Sequence, residues 1–385
     1  MRSTRRWAAV AALAVVALAT AGIAISGNGQ TNNKTFEFAV GLWGDLPYND
    51  VQAQTGVPNL IADMNNSDIS FSIHDGDLKA GSGITGSATP TTCSNALYAQ
   101  SLAYLNSLDK PAFFTPGDND WTDCDRPANG SFNSLERLQY ERDNLFSTST
   151  SFGKKTMATE VQSTPACVGT TNTTPGSTAG PYFPTPCVEN RRWTFHKVTF
   201  ATVDVQGTCN NLCSSGGGAP DAGGDPTEYA ARNAADIQWL KDTFAEAKAN
   251  DSAGVMIVWQ ADSGFDGSDV TRAPLRDPKT LAETDGAADG FQAILSTLRA
   301  LTIDYRRPVV LVHGDSHYFR IDKPLLDSQG RRLENFTRVE TFGDNAANGT
   351  NDVNWVKALI DPQSRDVFAF QTQIVPANRV AVPSP

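Results

Sequence analysis

The chain has 385 residues, of which 40% are hydrophobic, and its formal net charge at pH 7 is −11. This is enough apolar material to bury a sizeable core. The acidic balance argues against binding to a nucleic-acid backbone or to an anionic membrane surface, so no nucleic-acid groove is expected. It leaves room for a local site that binds cations.

Residues 1–26 have the pattern of a signal peptide. Three arginines among the first six residues precede an uncharged, Ala-rich stretch with small residues near its end. The alternative is an uncleaved membrane anchor, because the stretch is barely long enough to span a bilayer. Cleavage is favoured, which predicts a secreted or periplasmic protein with a flexible leader at 27–34 and one domain over 35–385.

Apolar runs predict a series of strands with helices between them. The predicted strands are 36–43, 69–74, 111–116, 191–206 (a hairpin or one long strand), 253–260, 307–317, 338–343 and 366–375. Helical spacing of apolar residues predicts helices over 96–108, 134–146, 228–250 and 286–301. The polar residues 147–190 are expected to form a surface excursion tied by Cys167 and Cys187.

The six cysteines fit an oxidising compartment. None forms a Cys-x-x-Cys pair, and no cysteine–histidine spacing resembles a zinc finger. Six cysteines allow roughly fifteen pairings, and the sequence does not decide among them. We expect the sequential pairing, namely Cys93–Cys124, Cys167–Cys187 and Cys209–Cys213.

Polar clusters follow five of the predicted strands. A single Gly-Asp dipeptide is common in turns, but here the order of strand, polar cluster and helix recurs along the chain. Ligands of open α/β sheets bind beyond the carboxyl ends of the strands, so the clusters are expected to converge on one site. They are GDLPY (44–48), HDGDLK (74–79), PGDNDW (116–121), WQAD (259–262) and HGDSH (313–317).

In this order the clusters resemble the motifs of the calcineurin-like metallophosphoesterases. GDLPY, GDLK and GDND look like the first three motifs, WQAD stands in the fourth place and GDSH in the fifth. The pattern looks closest to a secreted bacterial branch with GD-x-PY, GDNEWTDC and HGDSH signatures. The resemblance implies an α/β fold, namely a four-layer α/β/β/α sandwich, and a dinuclear metal centre that hydrolyses phosphate esters.

The implied metal ligands differ from the family pattern, because oxygen donors replace most of the imidazoles. Pro47 stands where the first histidine is expected, and Gln260 replaces the lone histidine of the fourth motif, with Asp262 as a substitute. Asp118 and Asn119 fit the third motif in either of two registers. The implied ligands are Asp45, Asp77, Asp118, Asn119, Gln260, Asp262, Asp315 and His317.

The donor atoms also favour certain metals. Carboxylate and amide oxygens suit Mg, Mn or Ca better than Zn, which prefers nitrogen and sulfur. The resemblance implies two divalent metal ions, and the donor atoms favour Mn or Mg, with Ca, Fe or Zn as alternatives. In the family, two such ions activate a water molecule and hold the phosphoryl oxygens of a small phosphorylated substrate.

The third motif lacks the histidine that the family uses at the leaving oxygen. Asn119 stands in its place, and an amide is no acid at neutral pH, so another proton donor is expected. Asp120 matches the acid that supports this motif. The predicted catalytic residues are Asn119 and Asp120, the donor candidates His74, His313 and Lys79, and Arg126, whose guanidinium is suited to hold a phosphoryl oxygen.

Simpler interpretations of these residues stay open. Aspartates at strand ends often cap turns, buried histidines are often hydrogen-bonded core residues, and Lys79 fits a solvated loop. Two other functions are consistent with the sequence. One is a non-catalytic descendant that binds a metal or a phosphorylated ligand, and the other is a calcium-stabilised extracellular interaction protein. The sequence does not determine the substrate, the choice between monoester and diester, or the oligomeric state.

Overall fold

Short apolar strands alternate with helices along the chain. The computed structural model describes residues 37–172, 180–213, 224–264, 276–284, 286, 288–343 and 353–379. In these ranges the longer helices are α1 (Val57–Asn66), α2 (Asn95–Ser107), α3 (Ser134–Asn144), α4 (Pro226–Ala249) and α5 (Gln292–Tyr305). The strands are β1 (Phe38–Trp43), β2 (Phe71–His74), β3 (Ala112–Phe114), β4 (Glu160–Val161), β5 (Cys167–Thr170), β6 (Tyr182–Thr185), β7 (Arg191–Phe195), β8 (Val198–Thr202), β9 (Gly254–Val258), β10 (Val309–His313), β11 (Arg320–Asp322), β12 (Phe336–Glu340), β13 (Trp355–Ile360) and β14 (Phe368–Gln373).

Helix α4 shows how the local sequence sets the start of an element. Asp225 precedes it, and its carboxylate accepts hydrogen bonds from the backbone N–H groups of Thr227 and Glu228 at 3.1 and 3.0 Å. Pro226 suits the first helical position, since the N–H group that it lacks would have no partner inside the helix. The apolar face of α4 is buried against the larger of the two main sheets.

The main strands form two mixed sheets. The smaller has the order β14-β13-β1-β2-β3, and the larger has the order β11-β12-β10-β9-β8-β7-β4. Strands β1, β2 and β3 run parallel, as do β8, β9, β10 and β12. Parallel strands end at the same edge of a sheet, so each sheet gathers the polar clusters that follow its strands.

Three buried apolar clusters define the layers. The cluster between the sheets joins Val40 and Phe71 of the smaller sheet to Met256 and Val310 of the larger sheet. Val255, which points to the opposite face of β9, belongs to a second cluster that includes residues of α4 and α5. The third cluster joins the outer face of the smaller sheet to α1 and α2. The predicted fold class is therefore confirmed: the chain is an α/β protein with four layers in the order α/β/β/α.

Most predicted elements are present with shorter bounds. Residues 191–206 contain a hairpin, and its turn at His196 and Lys197 has positive φ at both residues, as a tight hairpin turn requires. The helix predicted over 286–301 is shifted to Gln292–Tyr305. The sequence patterns did not indicate α1, whose proline and asparagines weaken the helical signal, or β13, a short apolar run without a clear period.

The excursion predicted over 147–190 lies only partly at the surface. Strand β4 joins the edge of the larger sheet by pairing with β7, and β5 pairs with β6. Both cysteines of the Cys167–Cys187 bond are buried. The other two predicted disulfides, Cys93–Cys124 and Cys209–Cys213, are also present.

The described residues all belong to one compact unit, Phe36–Pro385. The predicted signal segment 1–26 and the leader 27–34 lie outside the described residues and stay predictions. In the part of the chain that the structure describes, no helix has the length and apolar character needed to cross a membrane.

Phe71 provides a test of the core between the sheets. It is fully buried, and its ring centroid lies 5.5 Å from that of Phe113 and 5.1 Å from that of Phe200. Phe71→Ala is expected to lower the free energy of unfolding by about 3–5 kcal/mol, because a cavity remains between the sheets. In urea denaturation the control Ile303→Ala, at an exposed position of α5, should stay within about 0.5 kcal/mol of the wild type. Equal losses in the two variants would contradict this packing.

Candidate metal centre

The polar clusters that follow β1, β2, β9 and β10 are joined by backbone hydrogen bonds. The N–H of Asp45 donates to the carbonyl of Gly76 at 2.9 Å, and the N–H of Gly314 donates to the carbonyl of Gln260 at 3.1 Å. The N–H of Asp315 reaches Oδ1 of Asp45 at 3.1 Å. Because β1 and β2 belong to the smaller sheet and β9 and β10 to the larger, the site spans the ends of both sheets.

Four candidate ligands have a left-handed backbone conformation. The φ angle is 52° at Asp45, 61° at Asp77, 75° at Asp315 and 58° at His317. Few non-glycine residues adopt this region, although Asp and His do so more often than most. Such conformations concentrate at functional sites, where the surrounding structure holds them in place. Their repetition at the ends of three strands favours a functional site over a set of ordinary turns.

The glycines of two Gly-Asp pairs make space for carboxylates from other clusters. A Cβ atom on Gly117 would lie 2.1 Å from Oδ1 of Asp77, and one on Gly314 would lie 2.0 Å from Oδ2 of Asp45. Both separations are far below van der Waals contact, so only glycine allows these carboxylates to approach.

Asp45, Asp77 and His317 form a compact group of ligand atoms. Each offers one ligand atom, and the three atoms lie within 4.8 Å of one another. Both carboxylates are buried, whereas the imidazole is 24% exposed and lies 3.3 Å from Asp45 through its Nε2 atom. Among the described residues this is the one group of three or more His, Cys, Asp or Glu side chains with such spacing.

Tyr48 lies among these ligands, although the sequence analysis did not assign it to the site. Its hydroxyl donates to Oδ2 of Asp77 at 2.8 Å and lies 3.1 Å from Nε2 of His317 and 3.4 Å from Oδ1 of Asp45. Nδ2 of Asn119 donates to the same hydroxyl at 3.0 Å. Burial and the nearby charges of Asp77 and Asp45 raise the pKa of Tyr48 well above its usual value, which keeps the hydroxyl protonated.

A second part of the site surrounds Asp118. Its Oδ2 accepts a hydrogen bond from the hydroxyl of Thr208 at 2.7 Å, and its Oδ1 lies 3.4 Å from Nε2 of Gln260. A Cβ atom on Gly207 would lie 2.6 Å from Oδ2 of Asp118 and 2.9 Å from Oδ1 of Asp315. The carboxylates of the third and fifth clusters therefore meet at the turn that begins with Gly207.

The turn that presents Thr208 has an unusual backbone. All four residues from 208 to 211 have φ between 48° and 63°, a left-handed run that is unfavourable for side chains with a Cβ. Arg232 donates to Oδ1 of Asn210 at 2.7 Å and to its carbonyl at 2.9 Å, and the Cys209–Cys213 bond closes the turn. The sequence does not indicate Thr208 as a site residue, because a left-handed run of non-glycine residues has no sequence signature.

Asn119 and Asp120 support Asp77. Nδ2 of Asn119 donates to Oδ2 of Asp77 at 2.7 Å. The carboxylate of Asp120 accepts the N–H groups of Asp77 at 3.0 Å, Leu78 at 2.5 Å and Gly117 at 2.7 Å. Burial raises the pKa of Asp120 to about 7, although these hydrogen bonds oppose the shift. Asp120 thus fixes the backbone around a candidate ligand.

The other predicted ligand of the fourth cluster, Asp262, is engaged with the protein. Its carboxylate pairs with Nη2 of Arg320 at 2.9 Å and accepts the hydroxyl of Ser316 at 2.8 Å. Its backbone N–H donates to Oδ2 of Asp315 at 2.9 Å. Asp262 thus contacts Asp315 through its backbone, and its role as a metal ligand stays a prediction.

The predicted proton donors His74 and His313 are buried, with relative exposures of 1% and 0%. Nδ1 of His74 accepts the N–H of Gly76 at 3.2 Å, and the ring meets that of Trp43 edge-on. Nδ1 of His313 lies 2.9 Å from the carbonyl oxygen of Gly314. Neither ring reaches solvent in this structure, which agrees with the simpler interpretation of core histidines, and their catalytic roles stay predictions.

Two cationic side chains lie beside the acidic third cluster. Nη1 of Arg126 pairs with Oδ2 of Asp123 at 2.6 Å. The interpretation of Lys79 as a solvated loop residue is wrong, since the side chain is only 1% exposed and its ammonium donates to the carbonyl of Ala80 at 2.9 Å. Burial lowers the pKa of Lys79 to about 8, while nearby carboxylates, Asp123 first among them, act in the opposite direction.

Buried carboxylates dominate the electrostatics of the site. Burial raises the pKa of Asp77 well above its usual value, and the charges of Asp118 and Asp45 add to the shift. Burial and the charges of Asp118 and Asp262 do the same to Asp315. A bound cation would favour the ionised forms of these groups, so the local field attracts positive charge.

Asp45, Asp77 and His317 fit a divalent cation in both spacing and donor chemistry. Carboxylates suit Mg and Mn, and imidazole is also a ligand for Mn, Fe and Zn, so this set does not select a single metal. The hydroxyl of Tyr48 already lies among the three groups. Cation binding therefore requires that this hydroxyl either joins the ligand set or moves aside.

Comparisons with known proteins add little to this picture. No protein-family profile matches the chain, and no curated protein matches it. One similar solved structure is GAP50, the anchor in the inner membrane complex of Plasmodium, with 11% identity, coverage of 88% of this chain and 89% of that chain, and a TM-score of 0.42. Another is the 5′-nucleotidase from Candida albicans, with 10% identity, coverage of 88% and 51%, and a TM-score of 0.37. At these values neither likeness bears on activity.

His74 should make stability depend on pH. Burial holds the pKa of its imidazole at about 4, below the usual 6.5, so between these values the unfolded chain binds a proton that the folded chain does not. As the pH falls through this window, the wild type should lose roughly 3 kcal/mol more unfolding free energy than His74→Gln. Urea denaturation from pH 7 to pH 4 measures the difference, and parallel pH profiles for the two proteins would refute the expectation.

Proposed function

We propose that this chain is an exported, metal-dependent phosphoesterase that acts on a small phosphorylated substrate. The observation that carries the proposal is the group formed by Asp45, Asp77 and His317, whose ligand atoms follow β1, β2 and β10 and lie within 4.8 Å of one another. The four-layer fold, the left-handed backbone at the ligands and the motif order support it. Export is supported by the three disulfides and by the predicted signal segment.

A divalent cation held by these residues would polarise a phosphoryl oxygen of the substrate. The chain itself supplies the positioning: Asp120 fixes the backbone of Asp77, and Asn119 holds the carboxylate of Asp77 through Nδ2. The amide of Asn119 is not an acid at neutral pH, and the predicted donors His74, His313 and Lys79 are buried. Esters whose leaving group departs without a proton, such as aryl phosphates, are therefore the substrates that this site favours.

A second candidate function is the binding of a phosphorylated ligand without cleavage. The observation that favours it is the amide of Asn119, which takes the place of an acid and is engaged with Asp77 and Tyr48. In this case the cation and the ligand would bind, and the ester would persist.

An assay with an aryl phosphate and an aryl phosphodiester, each with Mn²⁺, Mg²⁺, Ca²⁺ or Zn²⁺, separates the two functions. The proposal predicts turnover with at least one metal. It also predicts that Asp77→Ala lowers the activity more than about a hundredfold, because replacing even a residue that only supports a metal ligand commonly lowers activity by up to that factor. The control Asp68→Ala removes an exposed carboxylate and should keep wild-type activity. Absence of turnover with every metal, in a protein that still binds the metal, would support the second candidate and overturn the first.

A further inference from the structure

The candidate ligands separate into two groups with different partners. Asp45, Asp77 and His317 have the spacing of a cation site. The motif pattern implies a second ion at other positions. The candidate ligands there form a second set, namely Asp118, Asn119, Gln260, Asp262 and Asp315. The hydrogen bonds of this second set show whether its oxygens are available to an ion.

The two amides of the second set direct their N–H groups, and not their oxygens, toward carboxylates. Oε1 of Gln260 accepts the backbone N–H of Gly207 at 2.6 Å, which fixes the amide and leaves Nε2 facing Asp118 at 3.4 Å. The hydroxyl of Tyr48 donates to Asp77, so it accepts from Nδ2 of Asn119, which also donates to Asp77 at 2.7 Å. Both amides therefore act as hydrogen-bond donors where an ion would need acceptors.

The carboxylates of the second set have protein partners as well. Oδ2 of Asp118 accepts the hydroxyl of Thr208 at 2.7 Å. Oδ2 of Asp315 accepts the N–H of Asp262 at 2.9 Å, and the carboxylate of Asp262 pairs with Arg320 at 2.9 Å. Among the described residues, these three carboxylates do not form a group with the spacing of a cation site.

We infer that the centre binds one divalent cation, at Asp45, Asp77 and His317, and no second ion at the other motif positions. This inference rests on the metal centre of the proposed function. It makes the catalytic site mononuclear, with the remaining acids compensated by the side-chain and backbone donors of the chain itself.

Binding of Mn²⁺ to the whole chain tests the inference, with titration calorimetry and elemental analysis to count ions and EPR to detect magnetic coupling between them. We expect one ion per chain and the spectrum of isolated Mn²⁺. Two tightly bound ions, or the spectrum of a coupled pair, would overturn the inference. This measurement needs no variant, so it does not depend on the folding of a changed protein.

Turnover of an aryl phosphate by the same samples separates the inference from the proposed function. One ion without turnover supports the inference and contradicts the function. Two ions with turnover contradict the inference and support the function. A chain that binds no ion contradicts both.

Discussion

Mutual repulsion among buried carboxylates is the constraint on which the site depends. Asp45, Asp77, Asp118 and Asp315 lie at the ends of strands from both sheets, and their charges raise the pKa of Asp77 in addition to the effect of burial. Such a group is stable only if positive charge or hydrogen-bond donors compensate it. The chain meets this need in two ways: it leaves a ligand group suited to one cation, and it surrounds the other acids with donors from its own backbone and side chains.

The fold delivers these groups through its parallel strands. Each parallel strand ends at a shared edge, and a left-handed residue or a glycine at the end turns the chain so that the next carboxylate points into the site. Gly117 and Gly314 matter because a side chain at either position would collide with a candidate ligand of another strand. The Gly-Asp pairs thus combine close packing with ligand placement.

Much of this arrangement could be predicted from the sequence. Apolar runs indicated the central strands, and the polar residues after each run indicated the edge at which the site forms. The partners of those residues could not be predicted, because they depend on contacts between distant segments. Tyr48 lies within the first motif, yet only the structure shows its hydroxyl among Asp77, Asn119 and His317. The position of Thr208 depends on a left-handed turn, and the burial of Lys79 depends on the loop around it. Neither feature has a sequence pattern.

The proposed function depends on the binding of a divalent cation by Asp45, Asp77 and His317. The most direct test is anomalous diffraction near the manganese absorption edge, from crystals of the chain grown with Mn²⁺. We expect a peak within about 2.0–2.5 Å of one ligand atom from each of the three residues. An ordered site without such a peak, at a manganese concentration that saturates binding in solution, would contradict it.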